Sequence, residues 1–295
     1  MNAYRDADYA IALHDFQPLA VAGNPDAQDQ LGAMYAAGQG VARDYATAVY
    51  WYRKAADQQH AQARFHLGMM YAAGRGVARD DEQAAAWYRA AAEGGDIPAQ
   101  ILMAQMHENG QVVATDKALA MYWYRAAALG GSVAAQNIMG NRYQFGRNVL
   151  QDMEQAQFWY RAAAAQGSAH AQYNLGLIYA GGLGVAKDYA TARTWFLQAA
   201  IQGDQDAQYE LGQQYYTGLG VTQDRQQALS WYSKAAEQGD ARAQLRLGEL
   251  YSAGDTADLM QAYHWFGLAA QAGDADAQVH RSILEGRIGA QTRKP

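Results

Sequence analysis

Cysteine is absent from the chain of 295 residues. Disulfide bonds, thiolate metal sites and a cysteine nucleophile are therefore excluded. Only four prolines occur, which favours a helical protein because proline interrupts helices. No stretch approaches the roughly 18 apolar residues of a membrane-spanning helix, and the sequence contains no run of basic residues. Together with a formal net charge of −6, these absences argue against membrane insertion and against binding to nucleic acid.

The first 20 residues lack the apolar segment of a signal peptide, since they include Arg5, Asp6, Asp8 and His14. The sequence as written therefore predicts a cytoplasmic protein. A periplasmic or secreted protein from which a signal had been removed would look the same, so the compartment stays open.

A glycine-containing motif, AGQGVARD at residues 37–44, is similar to a phosphate-binding loop that precedes a helix. The motif recurs as AGRGVARD at 73–80, GGLGVAKD at 181–188 and TGLGVTQD at 217–224, with weaker copies at 109–116 and 145–152. A nucleotide site needs one such loop, and no Gly-Lys-Ser/Thr follows any copy. The motif therefore indicates tandem repeats with a period of 36 residues.

Tryptophan and aspartate follow the same period. The first six tryptophans are each 36 residues apart, and the seventh follows after 34. An aspartate precedes each tryptophan by seven residues. The tryptophans are Trp51, Trp87, Trp123, Trp159, Trp195, Trp231 and Trp265, and the aspartates are Asp44, Asp80, Asp116, Asp152, Asp188, Asp224 and Asp258.

Each repeat has the pattern of two amphipathic helices. We expect the aspartate to cap the second helix. Gln83, Gln155 and Gln227 follow their aspartates by three residues, as in a capping box. Gly38 and Gly40 are predicted to end the first helix and to turn the chain with positive φ. The apolar positions of repeat one are Ala27, Leu31, Met34 and Tyr35 in the first helix and Ala48, Trp51, Tyr52, Ala55 and Ala56 in the second.

A second glycine column lies inside the first helices, where glycine costs about 1 kcal/mol relative to alanine. Its recurrence predicts that a neighbouring helix packs closely there, and the tryptophan of the second helix is the expected complement. The column contains Gly32, Gly68, Gly140, Gly176, Gly212 and Gly248, with Ala104 replacing glycine once.

The combined pattern, A-x-x-x-L-G-x-x-Y-x-x-G-x-G-V-x-x-D followed by A-x-x-W-Y-x-x-A-A, resembles the Sel-one-like repeat (SLR) family, a relative of the tetratricopeptide repeat. The resemblance covers about residues 8–280. Residues 171–200 carry the motif almost whole, with Ala171, Leu175, Gly176, Tyr179, Gly182, Gly184, Val185, Asp188, Ala192, Trp195, Phe196, Ala199 and Ala200.

The resemblance implies an all-α fold, a right-handed superhelix of about seven helix-pair repeats whose first helices line a concave face. It also implies a role in protein–protein interaction, and bacterial members often work in the cell envelope or in secretion. The expected organisation is an N-terminal capping helix at 1–24, seven repeats at 25–274, and a C-terminal capping helix and tail at 275–295. Asp15, Arg281, Ser282 and Glu285 replace core residues in the two terminal helices. Because polar outer faces close repeat arrays, we expect a complete array and a monomer.

Several positions depart from the family pattern. Repeat three has Met103, Ala104 and His107 where Leu, Gly and Tyr are usual, and repeats three and four replace the second loop glycine by Val112 and Asn148. The seventh repeat is two residues shorter in its loop, AGDTAD. These departures leave the loop geometry open, and His107 is expected to be a satisfied core residue.

Packing accounts for the repeated residues better than chemistry does. The tryptophans lie in the core pattern, which favours packing over a cofactor or carbohydrate platform. The seven histidines form no His-x-x-x-His pair, so neither a metal site nor a cofactor is expected. The aspartates recur as caps rather than as acid catalysts. An enzyme whose site is assembled from distant groove residues remains the alternative function.

Two columns on the first helices vary from repeat to repeat, as a binding surface on a repeat scaffold should. We therefore predict a non-catalytic adaptor that binds a peptide or protein segment in a concave groove, on a surface poor in charge. Asn137 and Asn141 are expected to be exposed and to pair with a peptide backbone, while Phe65, Tyr173 and Tyr209 receive side chains. The predicted groove residues are Phe65, Met69, Ile101, Gln105, Asn137, Asn141, Tyr173, Leu177, Tyr209 and Gln213.

Overall fold

A computed structural model of the protein describes residues 9–253 and 256–291. These residues form sixteen α-helices and no strand, which confirms the all-α prediction. No helix among them is both long and apolar enough to cross a membrane. The helices are α1 Tyr9–Val21, α2 Pro25–Ala37, α3 Tyr45–Asp57, α4 Ala61–Ala73, α5 Asp81–Glu93, α6 Ile97–Asn109, α7 Lys117–Leu129, α8 Val133–Phe145, α9 Met153–Ala165, α10 Ala169–Gly181, α11 Tyr189–Ile201, α12 Gln205–Thr217, α13 Arg225–Glu237, α14 Ala241–Ser252, α15 Thr256–Gln271 and α16 Ala275–Gln291.

The chain divides into two compact units, Met1–Gln151 and Asp152–Pro295. Helices α1–α8 belong to the first unit and α9–α16 to the second. Within each unit a helix packs mainly against its neighbours in the sequence. The even-numbered helices α2 to α14 are the first helices of the seven repeats, and α3 to α15 are the second. The core of each unit is consequently a succession of small clusters, as expected for stacked repeats.

Six of the seven predicted aspartate caps are confirmed. Asp44, Asp80, Asp116, Asp152, Asp188 and Asp224 each precede a second helix and accept hydrogen bonds from its first backbone N–H groups. The seventh prediction was wrong, because α15 begins at Thr256 and Asp258 lies inside its first turn. A carboxylate is still favourable there, next to the positive end of the helix dipole. Gly254 and Asp255 of the short loop lie outside the described residues.

The capping-box prediction is only half correct. The backbone N–H of Gln83 donates to Asp80, and that of Gln227 donates to Asp224. The N–H of Asp80, however, donates to the carbonyl of Tyr71 at 3.1 Å, so it has a backbone acceptor in place of the glutamine side chain. The N–H of Asp224 likewise donates to the carbonyl of Tyr215 at 2.9 Å. The cap residue thus ties the second helix to the end of the first.

The interior glycines do mark close helix packing, but the predicted partner was wrong. A Cβ atom added to Gly32 would lie 2.6 Å from Cδ1 of Tyr52, and one added to Gly212 would lie 2.5 Å from Cδ1 of Tyr232. The aromatic ring over the glycine therefore belongs to the residue after the tryptophan. The same contact occurs between Gly68 and Tyr88, Gly176 and Phe196, and Gly248 and Phe266.

Trp87 and Trp231 pack between repeats within their own units instead. Trp87 of α5 lies against the cluster formed by α3 and α4, which includes Tyr52 and Leu67. Trp231 of α13 lies in the same way against the cluster of α11 and α12. Each of these tryptophans covers the preceding helix pair, so the prediction of a packing role is confirmed for both.

The turns after the first helices keep one geometry even without glycine. Gly38 and Gly40 have φ of +74° and +70°, as predicted. Val112 and Asn148, in the column of Gly40, adopt φ of +64° and +63°. A branched side chain in this left-handed region is unfavourable. The departures from the family pattern therefore appear as local strain and leave the course of the chain unchanged.

Candidate functional site

The ten predicted groove residues all lie on first helices, where they form two sets. Six belong to the first unit and four to the second, and most are half-buried, whereas Met69 and Gln105 are exposed. The first set is Phe65 and Met69 on α4, Ile101 and Gln105 on α6, and Asn137 and Asn141 on α8; the second is Tyr173 and Leu177 on α10 and Tyr209 and Gln213 on α12.

The three predicted aromatic anchors are partly used by the fold. The ring of Phe65 lies 5.6 Å from that of Tyr88, and the ring of Tyr173 lies 5.9 Å from that of Phe196. Burial raises the pKa of Tyr173 to about 12, with the negative charges of Asp206 and other acids adding to the effect. One part of each ring thus packs on the core aromatic residue of its own repeat.

Tyr209 and Gln213 are engaged still further. The guanidinium of Arg242 lies 4.5 Å from the Tyr209 ring centroid. That arginine also forms ion pairs of 2.5 Å with Asp206 and with Asp240. Gln213 accepts a hydrogen bond of 2.7 Å from the hydroxyl of Tyr232. In the second unit, these two predicted residues therefore serve internal contacts.

Acidic and basic side chains of the first helices pair with one another between successive repeats. Asp29, in the column of Phe65, is only 1% exposed and lies 2.7 Å from Nδ1 of His66. This contact joins the first helices of repeats one and two. Contacts between acidic and basic side chains of successive first helices recur along the chain, and apart from Asp29 their members lie beside the two variable columns.

Asn137 and Asn141 are half-buried, in contrast to the exposure predicted for them. Both already interact with other residues of the protein. A peptide that bound these amides would have to share or replace those interactions.

Arg142, next to Asn141, occupies a core position of the repeat and is only 9% exposed. Methionine, isoleucine or leucine fills this position in five other repeats, and a glutamine fills it in one. The column is Met34, Met70, Met106, Arg142, Ile178, Gln214 and Leu250. A comparison of this column across the repeats identifies Arg142 from the sequence alone. The two variable surface columns do not contain this residue, so the sequence-based prediction did not include it.

A buried polar cluster surrounds Arg142. Its Nη2 donates to both carboxylate oxygens of Glu108, at 2.7 and 2.8 Å, and its guanidinium lies 4.8 Å from the Tyr124 ring centroid. The Tyr124 hydroxyl donates to Glu108 at 3.2 Å. Burial raises the pKa of Tyr124, and the carboxylate of Glu108 raises it further. Nε of Arg142 is buried without a hydrogen-bond partner, which is unusual for a charged group.

This cluster forms one wall of a depression of about 450 Å³ in the first unit. We call it the repeat-four pocket. Asn141, one of the predicted groove residues, lines it together with four charged or polar residues and one apolar residue. The lining residues are Glu108, Ile138, Asn141, Arg142, Arg147 and Asn148.

The loop beside the pocket, residues 145–151, is called the repeat-four loop. The N–H of Arg147 donates to the carbonyl of Arg142 at 2.9 Å. The side-chain amide of Gln151 donates to the carbonyl of Gln144 at 2.8 Å. These bonds hold the loop on the end of α8. The loop exposes two large apolar side chains, Phe145 at 57% and Leu150 at 91%.

The carboxyl groups whose pKa is raised by burial lie outside the repeat-four pocket. Burial raises the pKa of Asp96 in the first unit and of Glu210 in the second. Neither residue lines the repeat-four pocket. His107, predicted to be a satisfied core residue, is buried, and its Nδ1 lies 3.2 Å from the carbonyl oxygen of Ala114. Among residues 9–253 and 256–291, no three histidine or acidic side chains are arranged to hold a metal ion.

Helix pairs that repeat about every 36 residues, most of them with an aspartate cap and a close glycine–aromatic contact, define an α-helical repeat protein. The Sel1 repeat model matches residues 25–60, 61–96, 97–132, 133–168, 169–204, 205–240 and 241–274. The chain therefore belongs to the Sel1 repeat family. Proteins of this family are in general non-enzymatic scaffolds that mediate protein interactions.

Two solved structures resemble the chain over most of its length. A protective antigen present in uropathogenic Escherichia coli strains, which displays an SLR fold, is 38% identical over 94% of this chain, with a TM-score of 0.82. This chain covers 60% of that antigen, so it spans about three fifths of the relative's length. A Sel1 repeat protein from Oxalobacter formigenes is 37% identical, with 80% of this chain and 97% of that chain covered and a TM-score of 0.63. The comparison with curated proteins found no match.

Proposed function

We propose that the protein is a non-catalytic adaptor that binds a peptide or protein segment on the surface of its first helices. The proposal rests on the position of Asn141 in the structure. The variation between repeats selects this residue from the sequence, and it lines the repeat-four pocket beside Arg142 and Asn148. A depression with several hydrogen-bonding groups and one apolar wall has the character of a binding site.

Each repeat contains positions that serve the fold and positions that vary, and this separation supports the proposal. The aspartate caps and the glycine–aromatic contacts recur in both units and serve the fold. Most of the pocket residues differ from all their counterparts in other repeats, although Arg147 shares its residue type with Arg75, and they do not serve that common framework. A repeat scaffold binds selectively by changing such positions while its framework stays constant.

In this proposal Asn137 and Asn141 bind the backbone of an extended peptide, since an amide offers both a donor and an acceptor. Phe65 and Ile101 offer apolar contacts, and Met69 and Gln105 are the exposed members of the first-unit set. Tyr173, Leu177, Tyr209 and Gln213 are the proposed contacts in the second unit.

Selection from random peptides tests the proposal, because it does not depend on the identity of the natural partner. The immobilised protein is offered a displayed library of random twelve-residue peptides, and enriched sequences are synthesised. We expect at least one peptide to bind in calorimetric titration. The Asn137→Ala/Asn141→Ala variant should bind it several-fold to a hundredfold more weakly, on the scale of about 1 kcal/mol or more per lost hydrogen bond.

The matched control removes two exposed amides outside the predicted columns, in Gln62→Ala/Gln226→Ala. Its affinity should equal that of the wild type. If no peptide is enriched above the bare support, the proposal of a peptide-binding adaptor is wrong. Equal affinity of both double variants would move the interface away from α8.

A further inference from the structure

Four departures from the repeat pattern lie close together in the sequence of the first unit, between Arg142 and Leu150. Arg142 replaces an apolar core residue, and Asn148 occupies a left-handed position where four other repeats have glycine. Phe145 and Leu150 stand where most other repeats have small residues. The counterparts of Phe145 are Ala37, Ala73, Asn109, Gly181 and Thr217, and those of Leu150 are Ala42, Ala78, Ala114, Ala186 and Thr222.

Each departure works against stability. A buried arginine loses hydration, and an asparagine with positive φ is less relaxed than glycine. Two large apolar side chains exposed on one loop lose the benefit of burial. Residues that break the local rules of their own fold are expected where a function requires them. The concentration of four in the pocket and its loop therefore indicates a binding surface.

The charge of the pocket identifies the chemistry of its ligand. Its lining contains two cations, Arg142 and Arg147, and one anion, Glu108. The net charge is 2 − 1 = +1, on a chain whose formal net charge is −6. Glu108 is paired with Arg142, whereas Arg147 has no ion pair within the described part of the chain. The uncompensated charge at the pocket mouth is therefore that of Arg147.

The position of Arg147 suits recognition rather than folding. Its guanidinium lies 5.4 Å from the ring centroid of Phe145, so the cation and the exposed aromatic ring form one surface. Leu150 follows three residues later on the same loop. Because an extended chain spans about 3.3 Å per residue, the backbone positions of Arg147 and Leu150 are at most about 10 Å apart, a span that three residues of an extended peptide can cover.

We propose that the repeat-four pocket and the repeat-four loop bind an acidic, apolar peptide segment. A carboxylate of the segment pairs with Arg147 and accepts a hydrogen bond from the side-chain amide of Asn148, while the peptide backbone passes Asn141 as in the adaptor proposal. A neighbouring apolar side chain packs on Phe145 and Leu150. Arginine suits this task because its guanidinium matches a carboxylate with two parallel hydrogen bonds. This inference rests on the proposed adaptor function and specifies the chemistry of its partner.

The same peptide selection tests this inference, with the sequence composition as the readout. We expect the enriched peptides to carry Asp or Glu within three residues of Leu, Ile, Phe or Trp. Replacement of that acid by its amide should weaken binding about ten- to a hundredfold, the usual loss for a charge-assisted hydrogen bond. Binding should also weaken clearly with added salt, because Arg147 is exposed.

Variants of the protein provide the second arm. Arg147→Gln should weaken binding of the selected peptide about tenfold or more, while Arg75→Gln leaves it unchanged. Arg75 is the matched control because it occupies the same loop position in repeat two and lies near an aromatic ring, that of Tyr45. Phe145→Ala/Leu150→Ala should also weaken binding, while Leu219→Ala, in the loop of repeat six, should not.

Asn148→Gly separates binding from stability. It should weaken peptide binding while it raises the thermal midpoint, an outcome that general damage to the fold would not produce. Enriched peptides without acidic residues, or equal effects of Arg147→Gln and Arg75→Gln, would overturn this inference and leave the adaptor proposal standing. A complete failure to enrich peptides would overturn both. Preferential binding of an oligonucleotide to Arg147 would also reject the acidic-peptide ligand.

Discussion

The side-chain amide of Gln238 donates a hydrogen bond of 2.8 Å to Oε1 of Gln208, 30 residues earlier in the chain. Gln208 is buried and donates in turn to the carbonyl of Ala200 at 3.1 Å. The buried Gln208 thus donates to a carbonyl group at the end of one second helix and accepts a hydrogen bond from the residue that follows the next second helix. The same chain of bonds links Gln58, Gln28 and Ala20.

The chain of bonds is incomplete where the second helix ends in glycine. Gln100 donates to the carbonyl of Ala92 at 3.1 Å, but its Oε1 is buried without a donor. The residue that corresponds to Gln238 is Gly130. Gly130→Gln should supply the donor and stabilise the protein by about 1 kcal/mol. The position accepts a side chain with a small shift of Ile97, since its φ is −70° and the atoms nearest an added Cβ are Cδ1 and Cγ1 of Ile97 at 3.2 Å and the carbonyl oxygen of Ala126 at 3.4 Å.

Chemical denaturation of Gly130→Gln and of Gly130→Ala measures the effect. Alanine adds the same Cβ atom and the same restriction of the unfolded chain, but no amide. The glutamine variant should therefore be the more stable of the two. If both are equally stable, the orphaned oxygen of Gln100 is already hydrated and the bond contributes nothing.

The glycine–aromatic contact gives a second prediction. Gly176→Leu should lower the free energy of unfolding by about 1–3 kcal/mol through overpacking, because Phe196 occupies the space of the new side chain. Gly286→Ala is the control: it is a helical glycine with nothing near its Cβ position, so alanine should stabilise by up to about 1 kcal/mol. A stabilising Gly176→Leu would show that the column is no packing site.

The one-residue error in the partner of this glycine column has a physical reason. Trp195 and Phe196 are both large and aromatic, and neighbouring residues on a helix point about 100° apart. An apolar pattern that includes both cannot tell which one faces the first helix and which one faces the next repeat. The period and six of the seven caps were predictable because they depend on spacing alone, and the seventh failed in the repeat whose loop is two residues shorter.

The candidate site was predictable only in part. Asn141 was found because it varies between repeats. Arg142 was missed, and Asn148 was noted as a departure from the loop glycine but was not assigned to the site. The contact between Arg142 and Glu108 joins residues 34 positions apart, and the sequence contains no signal for that particular pair. The exposure of Phe145 and Leu150 likewise depends on how the loop is held.

A third prediction concerns strained turns. Val112→Gly should stabilise the protein by about 1 kcal/mol, because glycine accepts the φ of +64° that valine adopts with strain. Ala114→Gly in the same loop should destabilise instead, since no positive φ is present there to favour glycine. Thermal melts of both variants test this prediction. Equal losses of stability would show that Val112 is not strained.

A fourth prediction uses pH. The hydrogen bond from Thr191, followed by the backbone N–H of Thr191, lowers the pKa of Asp188 below its ordinary value. Its stabilising effect is therefore present above the unfolded pKa of about 3.9 and is lost as the pH falls through the lower folded pKa. Asp188→Ala should reduce stability near neutral pH and match the wild type in strong acid. A difference from the wild type that persists in strong acid would exclude the ionised cap as its cause.

The last prediction tests whether the Glu108–Arg142 pair stabilises the fold or contributes to peptide binding. Glu108→Ala should destabilise the protein by about 2 kcal/mol or more, because it leaves the buried guanidinium of Arg142 without its counter-charge. Glu108→Ala/Arg142→Met restores the residue type found at the core position in repeats one to three, and it should be at least as stable as the wild type.

If the pair is retained for binding, the stable double variant should bind the selected acidic peptide more weakly than the wild type. Denaturation and calorimetric titration of the same preparations measure both quantities. A double variant that is much less stable than the wild type would mean that the charge pair serves the fold. A double variant with full stability and full affinity would mean that Arg142 contributes to neither, and that Arg147 and the repeat-four loop carry the recognition alone.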